Sequence, residues 1–389
     1  MSLKKNVLII NQSAELYGSD KALLELIEAF PENFVPIVVL HEEGLLKIIL
    51  EKMGVQVIKT SVIKVKRGIL KPAFFFRLPF EIFKSFQVIR KSLNGKKIEL
   101  IHSNATSVFI GAFYGFFFRI PHLWHVHEII EKPKKIAKIY PYLINFFSTK
   151  VIFNSVATSE HFVKILKKIN QKSTIIHNGQ KRDICLATEQ EIKKIKNSFN
   201  SNINEKIVIG LIGRISAIKG QHLALDSFSL LIKKYSNIHL VFIGSSVKGK
   251  EEYINNLYQK IEQLNLEEHV SFIEFQENIW QYYDSIDIIV VPSTEKESFG
   301  LVATEAMLSK KPVVAANHGG LSEILVDNET GFFFEPNNAE DLYIKLELLV
   351  QNKKLRDLFG TNGFKRVIEN FSAKKYVSSI EKIYVELTN

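Results

Sequence analysis

The chain has 389 residues, 46% hydrophobic and 24% charged, a length that suits two domains of roughly 100–200 residues each and a balance that excludes a fibrous or largely disordered chain. Its single cysteine, Cys185, excludes an internal disulfide framework and a Cys-rich zinc site, and points to a reducing, cytosolic compartment. Lys+Arg number 51 against 41 Asp+Glu, unevenly: residues 1–190 hold 28 against 15, a net +13, and residues 191–389 hold 23 against 26, a net −3. Such asymmetry points to an anionic partner (nucleic acid, a membrane surface or a phosphorylated substrate) or to a lysine-rich solvated surface.

The apolar run Val7–Ile10 is too short for a signal peptide and predicts a first strand, Asn6–Ile10. Further strands are predicted at Val35–Leu40, Val55–Lys59, Leu100–His102, His122–His125, Lys150–Asn154 and Ser173–His177. Amphipathic stretches at Ser19–Phe30, Gly44–Met53 and Phe80–Leu93 predict helices between them. Val108–Phe118 is the longest apolar run, but two glycines and a tyrosine interrupt it. It falls short of the ~18 residues a spanning helix needs. The polar, lysine-rich stretch Lys181–Asn204 reads as a junction. Beyond it strands are predicted at Ile207–Ile212, His239–Ile243, Val270–Ile273, Ile286–Val291 and Pro312–Ala315. Helices are predicted there at Gln221–Tyr235, Glu251–Leu264, Glu305–Ser309 and Ala339–Gln351. This alternation predicts an α/β protein of two doubly wound parallel sheets. Ligands in such folds sit beyond the carboxyl ends of the strands, here in a cleft between the domains.

Two segments carry the chemistry. In the run from Val290 to Met307 a strand ends at Pro292, a polar loop follows, and a helix starts near Gly300. The main-chain N–H groups of Ser298, Phe299, Gly300 and Leu301 would then line a helix N-terminus, a site for phosphate. Glu297 precedes those amides and Glu305 follows within the helix; either carboxylate can accept from two vicinal sugar hydroxyls, or be a solvated charge. The second segment is Ile207–Ile212 followed by Gly213-Arg214-Ile215-Ser216-Ala217-Ile218-Lys219-Gly220. Gly213 turns the chain at the strand end and sets Arg214 and Lys219 over the same crevice, where a planar fork and a point charge suit phosphate oxygens. The Gly-x-Gly-x-x-Gly spacing of dinucleotide sites is missing there, which weighs against hydride transfer.

These elements, with the tail His318-Gly319-Gly320-Leu321-Ser322-Glu323-Ile324 and Gly331-Phe332-Phe333-Phe334-Glu335-Pro336, resemble retaining family 4 glycosyltransferases of the GT-B fold. The resemblance covers nearly the whole chain and is most specific over residues 207–350. It implies two Rossmann-like domains facing across a cleft: an acceptor-binding domain over 1–185 plus 371–389, closed by a C-terminal helix crossing back, and a nucleotide-sugar domain over 186–370. It implies that Arg214 and Lys219 neutralise the donor diphosphate, that Glu297 contacts the transferred sugar, and that Glu305 binds the ribose. Ser298, Phe299, Gly300 and Leu301 would supply amides, Gly213 the turn, and Glu274 the region that reads the base. In the first domain the family's paired glycines reduce to Gly18, in the loop Asn11–Asp20; Gly18 is assigned to donor binding, the loop's amides meeting the donor phosphate or the acceptor. The family's sugar-contacting histidine matches His127, with His125 as second choice.

The activity so implied is transfer of a hexosyl group, with retention, from a nucleotide-diphosphate sugar to a glycan acceptor. A UDP-sugar is favoured over a GDP-sugar, and no cofactor and no metal are expected, since the chain has no Asp-x-Asp pair. Cations interleave with aromatics in Lys64–Arg77, Phe116–Arg119 and Lys132–Lys138, which suggests an anionic membrane surface and a polyprenyl-linked acceptor for a bacterial surface polysaccharide. The phenylalanines could equally be core. Nucleic acid is not expected as a partner, because no zinc knuckle, RNP-type motif or basic helical stripe is present. The alternative is a non-catalytic nucleotide-sugar-binding partner of another transferase.

Overall fold

The computed structural model describes residues 4–16, 18–63, 72–182, 184–200, 203, 205–246, 249 and 251–389. The chain divides into two compact units, Met1–Gly179 with Ser372–Asn389, and Gln180–Phe371. The sequence reading set the first divide at 185. The structure moves it forward because Arg182 is anchored in the second unit: its guanidinium donates twice to the Asp284 carboxylate, at 2.7 and 2.6 Å, and to Ser309 Oγ at 2.8 Å.

The first unit is built on seven parallel strands: β1 (Lys5–Ile10), β2 (Phe34–Leu40), β3 (Gln56–Lys59), β4 (Leu100–Ser103), β5 (His122–Val126), β6 (Lys150–Phe153) and β7 (Ser173–Ile175). Their order is β3-β2-β1-β4-β5-β6-β7. The strands are apolar on both sides because helices cover both faces of the sheet. One face packs Leu8, Ile10, Ile101, Trp124 and Val126 against the helices Pro72–Leu93, Ile110–Phe118 and Lys134–Phe147. The other packs Val7, Ile9, Leu100 and Leu123 against Gly18–Glu28 and the last helix, Ala373–Thr388. That last helix seats Tyr376, Ile380 and Tyr384 in the core, and Lys5 Nζ donates to the Thr388 carbonyl at 2.8 Å. The resemblance implied a closing helix of this kind.

The second unit has six parallel strands: β8 (Ile207–Ile212), β9 (Ile238–Ile243), β10 (Val270–Ile273), β11 (Ile288–Val291), β12 (Val313–Ala316) and β13 (Gly331–Phe334). They run in the order β10-β9-β8-β11-β12-β13. The strand order reverses between β1 and β4 in the first sheet and between β8 and β11 in the second. At such a switch point the two neighbouring loops diverge to opposite faces and leave a crevice. The helix Glu189–Phe199 fills the stretch read as a junction; Thr188 and Glu191 close its start with a reciprocal capping box.

Substituting Ile380, fully buried under the first sheet, tests the docking of the last helix. Ile380→Ala should lower unfolding free energy by about 2–5 kcal/mol in a denaturant titration.

Candidate functional site

The loops that leave β8 and β11 meet. After β8 the chain turns at Gly213, passes Arg214 and a 3-10 turn at Ala217–Lys219, and enters the helix Gln221–Leu231. After β11 it runs through Pro292–Gly300 into the helix Leu301–Leu308. Thr294 fastens one to the other, its N–H donating to the Ile218 carbonyl at 3.0 Å and its hydroxyl to the Ala217 carbonyl at 3.1 Å. Gly220 is required where they touch. It has φ +75°, and a Cβ there would fall 1.9 Å from the Pro292 carbonyl oxygen.

At this junction Lys219 Nζ lies 2.6 Å from Glu297 Oε1, and the Ser293 hydroxyl donates to the same oxygen. His318 Nε2 lies 2.8 Å from the Ser293 carbonyl, and the Gly320 N–H donates to the Glu297 carbonyl at 2.7 Å. The His318-Gly319-Gly320 turn thus holds the carboxylate loop from behind. Burial pushes the Glu297 carboxyl up, but the Lys219 charge, its hydrogen bond and that from Ser293 together carry it below its ordinary value of 4.5.

The structure brings Lys219 and Glu297 together; the other residues singled out by sequence are spread over the same unit. Arg214 is exposed on the β8 loop, its carbonyl held by Gln221 Nε2 at 2.9 Å. Ser298 is half-buried, while Phe299 and Gly300 are buried; Phe299 packs on Phe371, and Gly300, at φ +115°, leads into Leu301. Glu274 follows β10 as an exposed residue. Glu305 is buried inside the unit: Tyr283 OH donates to Oε2 at 2.7 Å and Gln180 Nε2 to Oε1 at 3.3 Å. Thr304 in turn donates to Gln180 Oε1. Burial and the Glu305 charge hold the Tyr283 hydroxyl well above its ordinary range. Sequence reasoning did not find Ser293, Tyr283 or Gln180, since nothing local marks them. Among the described residues no group of three or more His, Cys, Asp or Glu could hold a metal ion.

The first unit gathers a second polar cluster at the carboxyl ends of β1, β4 and β5. Asn104 is its hub: Nδ2 donates to Asn11 Oδ1 at 2.9 Å and to the Ser19 carbonyl at 3.0 Å, while Oδ1 lies 3.0 Å from His127 Nε2. Gly18 opens the helix Gly18–Glu28, whose first turn carries buried Asp20, held by Asn11 and Ser13. Beside His127, Glu128 accepts from Gln12 at 2.8 Å and from Thr106 N at 2.9 Å. Its carboxyl is pushed up by burial, against the pull of those hydrogen bonds. Glu128 and Gln12 were not recognised from sequence. His127 stands at the strand end, whereas His125 lies wholly buried between the rings of His102 and His127, at 5.5 and 3.9 Å. Burial keeps all three neutral, pushing His102 and His127 down to about 3 and His125 well below its ordinary range.

The lowered Glu297 carboxyl fixes the sign of a pH effect. Its contribution to stability is complete above 4.5 and is lost as pH falls below that value through the folded-state one. Glu297→Gln should therefore destabilise the protein by about 1–3 kcal/mol at neutral pH, and this difference should shrink steadily on acidification below 4.5. Paired chemical unfolding curves across that range measure it.

Comparison with known proteins adds to this geometry. Residues 193–366 match the family model described as glycosyl transferases group 1. The capsular polysaccharide biosynthesis glycosyltransferase CapM of Staphylococcus aureus is 28% identical over 241 residues, covering 61% of this chain and 62% of the relative, so the chain matches under two thirds of that protein. The glycosyltransferase MJ1178 of Methanocaldococcus jannaschii is 27% identical over 319 residues, 79% of this chain and 81% of the relative. Among solved structures, Anabaena Alr3699/HepE in complex with UDP and glucose superposes with a TM-score of 0.83 at 24% identity, over 97% of this chain and 99% of that one. Over residues 193–366 the chain is similar to the glycosyl transferases group 1, and as a whole it has the GT-B fold.

Proposed function

We propose that the protein is a retaining hexosyltransferase that takes its sugar from a nucleotide diphosphate, with UDP favoured over GDP. The acceptor is a glycan, lipid-linked, in the assembly of a bacterial surface polysaccharide on the cytoplasmic side of the membrane. The observation that carries the reading is the Lys219–Glu297 pair, a cation and a carboxylate latched at 2.6 Å beyond the two strands that flank the second sheet's switch point. The complexes of the Anabaena protein with UDP and with UDP-glucose support the donor class, and the capsular role of the Staphylococcus relative supports the pathway class.

In this reaction the bond between the anomeric carbon and the terminal phosphate oxygen breaks, and its electron pair leaves on the phosphate. The acceptor oxygen bonds to the anomeric carbon from the same face, and its proton passes to the departing phosphate. Charge therefore builds on the pyrophosphate while the sugar becomes cationic. Lys219 keeps two N–H groups beyond the one given to Glu297, and Arg214 offers a planar fork from the same loop. Lys219 is already held by Glu297 before the donor arrives, so little reorganisation accompanies the charge there. No metal is invoked. On this reading Glu297 contacts the transferred sugar, the amides of Ser298 to Leu301 meet the phosphates and Glu274 reads the base. Glu305, whose oxygens are taken by Tyr283 and Gln180, reaches the ribose only by giving up one of those bonds. His127, neutral at working pH, can share a hydrogen bond with a sugar hydroxyl but brings no charge. Buried Asp20 disfavours a phosphate at the start of its helix, so Gly18 is assigned to the acceptor side.

A panel of nucleotide sugars, titrated and then assayed for transfer and hydrolysis, tests the reading. One donor should bind and turn over; binding without turnover would favour the non-catalytic alternative. Lys219→Ala and Arg214→Ala should each lower turnover with that donor by about 10²-fold or more. Normal turnover in both variants would overturn the assignment.

A further inference from the structure

We infer that one helical face of the first unit is a docking surface for an anionic lipid bilayer. Phe80, Phe83, Phe116, Phe117 and Phe146 are each 56–68% exposed. They lie on three neighbouring helices of one layer, Pro72–Leu93, Ile110–Phe118 and Lys134–Phe147. The rings of Phe116 and Phe146 are 6.0 Å apart, those of Phe116 and Phe117 5.9 Å, and Phe117 continues to Phe86 at 5.8 Å. Soluble surfaces scatter such side chains singly; a joined patch marks an interaction site.

Charge selects the occupant. The exposed face of Pro72–Leu93 runs Arg77, Phe80, Lys84, Gln87, Lys91 at helical spacing, and that of Lys134–Phe147 runs Lys135, Lys138, Tyr142, Phe146. The three helices together hold seven Lys and Arg against one carboxylate, Glu81, and Arg119 follows directly after the second. Aromatic tips ringed by cations suit a headgroup layer of anionic phospholipid, where rings enter the interface and cations stay among the phosphates. No helix among the described residues is long and apolar enough to cross a membrane, so the contact is peripheral. Of the run Lys64–Arg77 expected at the membrane, residues 64–71 lie outside the described residues. This inference deepens the lipid-linked acceptor reading, yet rests on the surface of the first unit alone.

The test is sedimentation of the full chain with vesicles of phosphatidylcholine, with and without phosphatidylglycerol, at low and high salt. Binding is expected to the anionic vesicles only and to weaken with salt. The triple variant Phe116→Ser/Phe117→Ser/Phe146→Ser should bind about tenfold or more weakly, with donor binding and circular dichroism unchanged. Should that variant fail to fold, Lys134→Glu/Lys135→Glu/Lys138→Glu changes only exposed cations and should show the same loss. Lys219→Ala should keep vesicle binding, so a failed donor assignment would not mask the result. Absence of binding to anionic vesicles, equal binding to neutral ones, or undiminished binding by the folded variants would overturn the inference. So would a parent that elutes as an oligomer which the phenylalanine variant converts to monomer.

Discussion

The contact between Lys219 and Glu297 ties together the two loops on which the second unit's polar chemistry stands. Removing both charges from water is expensive, and their attraction repays it only when the geometry is good and the remaining lone pairs are used. Here Ser293 takes up a further bond on the carboxylate, and His318 and Gly320 fix the main chain on either side of it. A pair of apolar side chains would bind the loops about as well, so stability alone gives no reason for charges at this place. What the pair adds is a cation held close to the switch point, with donors left over, on a backbone that Gly220 and Thr294 keep from moving.

The first unit solves a related problem with neutral groups. Asn104 joins the loops after β1, β4 and β5 through amide hydrogen bonds, and the neighbouring histidines are kept uncharged by burial. The interior of this unit therefore contributes directional hydrogen bonding around the carboxylates of Asp20 and Glu128 and, among the described residues, no buried cation at the Asn104 hub. Its net positive charge resides outside, on helices such as Lys134–Phe147. In the proposed reaction this separates two tasks: hydroxyl recognition at the strand ends, and attraction of anionic surfaces by the exterior.

How much of this the sequence disclosed follows from the range of each interaction. Parallel strands buried on both faces are short continuous apolar runs rich in β-branched residues, so the limits of Ile207–Ile212 can be read directly from the sequence. The strand Gly331–Phe334 was noticed only within a motif, because a glycine and three phenylalanines do not distinguish an edge strand from a loop. The helix Pro72–Leu93 was started too late, at Phe80, since Pro79 looks like a beginning although the helix carries it inside. Lys219 and Glu297, which the structure pairs, are legible as polar residues in the loops that follow two strands. The burial of Glu305 was not: its partners Tyr283 and Gln180 lie 22 and 125 residues away, and only folding brings them to it.

The aromatic surface shows the same limit more sharply. The segment Ile110–Phe118 is apolar along its whole length, so periodicity alone leaves the direction of its phenylalanines open. The two glycines decide it. A Cβ on Gly111 would meet Ser103 Oγ at 2.5 Å, and one on Gly115 would meet the Ile120 carbonyl oxygen at 3.1 Å and the His122 Cβ at 3.3 Å. Spaced four apart, they form the side on which the helix comes nearest to β4 and β5, where a side chain at Gly111 would clash and one at Gly115 would be tight. With that side given to glycine, Phe116 and Phe117 have to leave the sheet and project outward. An apolar surface of this kind is a consequence of close packing beneath it, and the cations around it determine what it can meet.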